Sequence, residues 1–137
     1  MRKIFSTYKT AVLNKRIELS VSPFYHPILP LLIDNYIATK SDPTTVLPKL
    51  KFAYPIDALS QIKNAVSYAV EKFGERPIGM WPSEGSVSND AINLITKSGF
   101  IWAATDENVL ANSLNTPNLL PENLFRSYRF EAGENKL

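Results

Sequence analysis

The chain has 137 residues, room for a single domain, and its 45% apolar and 20% charged content excludes intrinsic disorder. Its 15 basic and 13 acidic residues leave a formal charge of +2, scattered rather than clustered, which gives no electrostatic footprint for nucleic acid. The absence of cysteine and the single histidine exclude a disulfide framework, a thiol nucleophile, a thiolate metal site and a zinc site built from several histidines.

Taken in chain order, Phe5, Tyr8 and Val12 fall three and four residues apart and predict an amphipathic helix from Ile4 to Leu13. IELSV (17–21) alternates apolar and polar residues and reads as a short strand. SPFYHPILPLL follows; its prolines 23, 27 and 30 argue against any regular helix or strand through it. The stretch from Thr39 to Pro55 reads as a long irregular loop. Order returns at Pro55, where Leu59, Ile62, Val66, Ala69 and Phe73 recur at helical spacing, with Pro55 suited to open the helix and Gly74 to end it.

Ile78 to Trp81 reads as a strand, Ser88 as the cap of a helix faced by Ala91, Ile92 and Ile95, and Gly99 as its stop. FIWAA (100–104) is a continuous apolar run, the pattern of a parallel strand covered on both faces. A last helix is expected from Thr105 to about Leu114, followed by a proline-punctuated C-terminal stretch and a polar tail. Helices alternating with short apolar strands predict an α/β fold with a parallel sheet and right-handed crossovers. The polar residues of MRKIFSTYKT do not make a signal peptide and PILPLLI (27–33) is too short to span a bilayer, so a cytoplasmic protein with no membrane or nucleic-acid partner and no cofactor is expected.

In parallel α/β folds, chemistry gathers at the carboxyl ends of the strands. The first strand is followed by Tyr25-His26, the second by Trp81-Pro82-Ser83-Glu84 and the third by Thr105-Asp106-Glu107, so Glu84, His26 and Asp106 could face one cleft. Each has a plainer explanation. Glu84 suits a turn ahead of a helix, His26 a structural hydrogen bond, Asp106 a helix cap, Glu107 a first-turn acid, and Trp81 and Trp102 the core. Indole faces beside carboxylates also suit sugar rings. The residues alone leave both readings open.

Three blocks, IELSVSPFYHPILPLL, FAYPIDALSQIKNAV and GMWPSEGSVSNDAINLITKSGFIWAATDENVL, resemble glycoside hydrolase family 57, in its α-amylase, amylopullulanase and α-amylase/α-mannosidase branch. The resemblance runs in order from about Phe5 to Arg129. It implies part of a (β/α)7 barrel, about three parallel strands with their helices, from an enzyme that acts on α-glucosidic bonds with retention. It further implies Glu84 as nucleophile, and Glu18, Tyr25, His26, Trp81 and Asp106 near the bound α-glucan or maltooligosaccharide.

Retention needs two carboxyl groups roughly 5–5.5 Å apart, and the attacking one ionised. The NH groups of Gly85 and Ser86 are expected to favour that charge on Glu84. The family's N-terminal His-Gln-Pro block and its Asp-Gly-Glu-like general-acid block have no counterpart; the nearest look-alike, Ala132-Gly133-Glu134, lacks the aspartate. The whole chain, 1–137, is therefore expected to be an internal fragment of the catalytic barrel that does not hydrolyse glucan by itself. Alternatives are a non-catalytic remnant, a split-gene subunit that binds glucan or pairs with a second chain completing the barrel, and a 4-α-glucanotransferase. A polysaccharide deacetylase-like barrel is disfavoured, because that chemistry needs several metal ligands.

Overall fold

In a computed structural model of the chain, residues 2–132 and 135–136 are described; Gly133 and Glu134 of the Ala132-Gly133-Glu134 look-alike lie outside them. Helix α1 (Arg2–Leu13) leads to strand β1 (Ser20–Val21), then to α2 (Leu29–Ile33), a 3-10 turn (Asn35–Ile37) and α3 (Ala38–Ser41). The long helix α4 (Pro55–Phe73) precedes β2 (Gly79–Met80), α5 (Asn89–Lys97), β3 (Trp102–Ala103) and α6 (Glu107–Ser113). A short helix, α7 (Pro121–Leu124), and an antiparallel pair, β4 (Glu131–Ala132) with β5 (Asn135–Lys136), follow.

β1, β2 and β3 form one open parallel sheet in that order, with Gly79 between Ser20 and Trp102, and Met80 between Val21 and Ala103. The expected α/β architecture of three parallel strands with intervening helices is therefore present. Because side chains alternate across a strand, the two register rows face opposite ways. Met80 is fully buried in a core formed with Leu29 of α2, Ala58, Ile62 and Val66 of α4, Ala91, Ile92 and Ile95 of α5, and Phe100. The row of Ser20, Gly79 and Trp102 lies on the face away from that core, and Trp102 stays 36% exposed.

Helix α4 forms where the spacing predicts it. Pro55 occupies its first turn, where a missing N–H costs nothing, and Gly74 ends it at φ 88°, its N–H donating to the Val70 carbonyl at 2.9 Å. The Ser88 hydroxyl caps α5 by accepting from the Ala91 N–H at 3.2 Å. Phe5 and Tyr8 of α1 pack their rings on Phe73, centroids 6.0 and 6.2 Å apart, which fastens α1 to the end of α4.

Two expectations are corrected, and one is narrowed. The proline-rich stretch does carry a helix: Pro30 sits at the start of α2, a position that needs no donor, so it opens the helix rather than breaking it. The stretch expected to be irregular from Thr39 to Pro55 is so from Asp42 onward, after α3 ends; ahead of it the Asp34 carboxylate accepts from the Tyr36 N–H at 3.0 Å to cap the 3-10 segment. FIWAA is not covered on both faces, since β3 is an edge strand, and Ile101 and Trp102 remain exposed.

Candidate active site

The loops after the three strands meet around the end of β2, the central strand. Trp81 extends the ladder by donating its N–H to the Val21 carbonyl at 3.0 Å, and Ala104 donates to the Met80 carbonyl at 3.0 Å. Beyond Trp81 the chain reverses. The Gly85 N–H donates to the Pro82 carbonyl at 2.8 Å and the Ser86 N–H to the Ser83 carbonyl at 3.1 Å. Glu84 sits in the left-handed region at φ 56° and ψ 24°, and Gly85 follows at φ 65°. Two successive positive φ values are the pattern of a type I′ turn, which favours Asn or Gly at the place Glu84 occupies. A glutamate there costs about 1–2 kcal/mol relative to ordinary backbone.

This turn is gripped from the β3 side. The Thr105 hydroxyl donates to the Gly85 carbonyl at 2.6 Å. A Cβ on Gly85 would come within 3.2 Å of the Asp106 nitrogen and 3.3 Å of the Trp81 ring, so the glycine lets three segments close on one another. Ser83 is fully buried beneath the turn, its hydroxyl without a hydrogen-bond partner among the described residues.

From the β1 side comes His26, also left-handed at φ 58°, whose Nε2 lies 3.2 Å from Glu84 Oε1. Its turn is closed by the His26 N–H donating to the Pro23 carbonyl at 2.9 Å. Gln61 of α4 fastens that turn from below: its carbonyl accepts from the Phe24 N–H at 3.2 Å and its Oε1 from the Tyr25 N–H at 2.8 Å. The Glu84 side chain remains 73% exposed and that of His26 49%, so the pair is open to an incoming ligand.

The structure thus joins Glu84 to His26 and stacks Trp81 and the Asp106 backbone against the same turn. Asp106 Oδ1 serves α6, accepting from the Asn108 N–H at 2.7 Å and the Val109 N–H at 3.3 Å, which is the capping role. Tyr25, 78% exposed, meets Phe24 edge-on at 4.8 Å between centroids. Glu18 lies on the open face of the sheet, where its Oε1 accepts from the Trp102 indole N–H at 2.6 Å. That indole crosses over Gly79 so closely that a Cβ there would stand 2.0 Å from Trp102 Cζ2. The expected support of the Glu84 charge by the Gly85 and Ser86 N–H groups is not found, because both donors are consumed in closing the turn.

Gln61 acts at this site without any signal of its own in the sequence, since it works across 36 residues; Thr105 lies in the third strand-end loop, but its bond to Gly85 across 20 residues could not be read there. No group of three or more His, Cys, Asp or Glu side chains able to hold a metal occurs among the described residues, and no helix among them is long and apolar enough to cross a membrane.

Comparison with known proteins identifies the family. Residues 1–137 match the profile of glycosyl hydrolase family 57. The chain is 27% identical over 133 residues to "Alpha-amylase 1" of Dictyoglomus thermophilum; the match covers 97% of this chain and 16% of that protein. The chain therefore spans about one sixth of the length of that relative. No solved structure matches it. With its parallel strands, its paired strand-end loops and a profile match over the whole sequence, the chain belongs to glycosyl hydrolase family 57.

Proposed function

We propose that this chain supplies the nucleophile half of a retaining site acting on α-glucosidic bonds in an α-glucan or maltooligosaccharide, with Glu84 as the attacking carboxylate. The supporting observation is the left-handed backbone of Glu84 at the end of the central strand, clamped from both neighbouring loops. Strain of that kind in a non-glycine residue persists only where its surroundings over-determine it, as at functional sites. It projects an exposed carboxylate from the strand-end rim where a sugar can reach it.

In the reaction, a Glu84 oxygen bonds to C1 of the glucosyl unit while the C1–O bond to the leaving group breaks. A second carboxylic acid gives its proton to the leaving oxygen and afterwards takes one from water, which releases the sugar and restores Glu84. Admission of a glucan hydroxyl in place of water would make the same site a 4-α-glucanotransferase. Trp81, partly exposed against the turn, and Tyr25, exposed on the neighbouring 23–26 loop, offer ring faces to glucose, and Asp106 borders the turn. Glu18 contributes from the open face of the sheet, where it is bonded to the Trp102 indole.

The second carboxyl is assigned to a segment outside 1–137 or to a second chain, and the 137-residue chain alone is proposed to leave glucan intact. The free outer edges of β1 and β3 in the described sheet favour such a completing partner. Reducing-sugar release from maltooligosaccharides tests both parts. The purified chain should give none; release that Glu84→Gln abolishes would overturn its incompleteness. In a complete relative that keeps the MWPSEGSVS turn, the same substitution should lower kcat by roughly 10⁴-fold or more. A drop of less than tenfold there would remove Glu84 from the chemistry.

A further inference from the structure

The resemblance sets His26 beside the sugar, but its geometry assigns it elsewhere. We infer that His26 is the positioning residue of Glu84: its Nε2 holds Oε1, which leaves Oε2 as the oxygen that attacks C1. This rests on the reading of Glu84 as nucleophile.

The argument begins with the backbone. Two non-glycine residues, on the loops of adjacent strands, both adopt positive φ and meet through their side chains. Each conformation costs about 1–2 kcal/mol, so chance placement of two on one contact is a poor explanation. The imidazole, moreover, is set in place by the protein and not by a ligand. The His26–Pro23 turn bond and the two bonds from Gln61 fix the 23–26 loop to α4, which is itself anchored in the core through Ile62 and Ala65.

The carboxylate also needs a donor. The neighbouring N–H groups of Gly85 and Ser86 already bond within the turn, and the Thr105 hydroxyl is given to the Gly85 carbonyl. His26 Nε2 is the donor that the structure brings to Glu84. A sugar hydroxyl could take Nε2 only by displacing Glu84, so His26 orients the nucleophile at the expense of binding substrate. A glutamate in a left-handed turn without this contact would swing freely about its own torsions. With one oxygen tethered, the other is presented along a narrower set of directions, and orientation of that kind is a large part of what a site contributes.

The test uses the 137-residue chain as it is. Because His26 is its single histidine, one imidazole spectrum is seen by nitrogen-15 NMR. The expected spectrum places the ring proton on Nε2 and shows it slowed in exchange with water; Glu84→Ala should abolish the slowing, and Glu107→Gln should leave it intact. In a double-mutant cycle of melting temperatures, His26→Ala and Glu84→Ala should be non-additive by roughly 2–5 °C. His26→Gln, which keeps a donor near the Nε2 position, should recover part of the loss. An unchanged imidazole spectrum without Glu84, or strictly additive melting shifts, would overturn the assignment. Coupling found together with covalent labelling of some other carboxylate would instead overturn the nucleophile reading and leave the His26–Glu84 pair standing, so the two failures are distinguishable.

Discussion

The two faces of the three-stranded sheet follow different physical rules. On one, Met80 is sealed by Leu29, Ile62 and Ile95, and the helices α2, α4 and α5 do the covering. On the other, the same strand places Gly79 under an indole whose N–H is tied to Glu18, and much of that surface stays open. One residue of offset along β2 separates a hydrocarbon core from an acid–aromatic pair. The covered face holds the strands in register, and the rim between the faces carries the strained turn of Glu84. Packing is thus concentrated on one face of a very short strand, and the proposed nucleophile lies at the strand's end rather than on either face.

The sharpest way to break this contrast is to truncate one large side chain on each face and compare the melts. Ile62→Ala should destabilise by about 2–5 kcal/mol, through lost burial and the cavity left behind. Trp102→Ala should cost less despite the larger residue, because the indole is 36% exposed. Equal losses would mean that the open face is packed as tightly as the core.

A smaller effect is expected from Gly79→Ala, for which the new methyl collides with the indole ring. Displacing the ring should cost about 1–3 kcal/mol and free Glu18 from Trp102, which the indole N–H resonance reports. Retention of that resonance would show that the ring shifts without losing its carboxylate. Ser88→Ala should cost about 1 kcal/mol by uncapping α5 and leave the His26–Glu84 contact untouched.

The least effect is expected away from both faces. The Lys51 ammonium, 2.6 Å from the Asp34 carboxylate, together with the Tyr36 N–H, holds Asp34 below the usual carboxylate range. A carboxyl group with a lowered folded-state value stabilises above its unfolded value of 3.8, and that contribution is lost as the pH falls through the lower folded value. Melting curves taken from pH 5 downward should therefore show a small added loss that Asp34→Asn removes. Because the pair is solvent-exposed, the difference should also shrink in high salt.

How much of this was legible depended on the range of the interactions. Helix α4 could be read because its apolar spacing, Pro55 and Gly74 are all local signals that agree. Helix α2 could not, because Pro30 reads as a breaker until its place in the first turn is known. The covered-strand reading of FIWAA failed because sheet position is set by partners: an apolar run on an edge strand looks the same in sequence as one in the centre. At the site, strand-end logic was enough to bring His26 and Glu84 to neighbouring loops. The capping of α6 by Asp106 was also readable, from its place ahead of the helix, but nothing local showed that Gly85 and Ser86 keep their N–H groups for the turn. Gln61, on a helix 35 residues after His26, carries no local mark of its task.

Covalent trapping tests the central claim most directly. A fluoroglucoside that forms a stable glycosyl-enzyme should be applied to a complete relative retaining both the YHP and WPSE blocks, and the labelled peptide identified by mass spectrometry. The account predicts the sugar on the glutamate equivalent to Glu84. A label on any other carboxylate, with this one left bare, would contradict it.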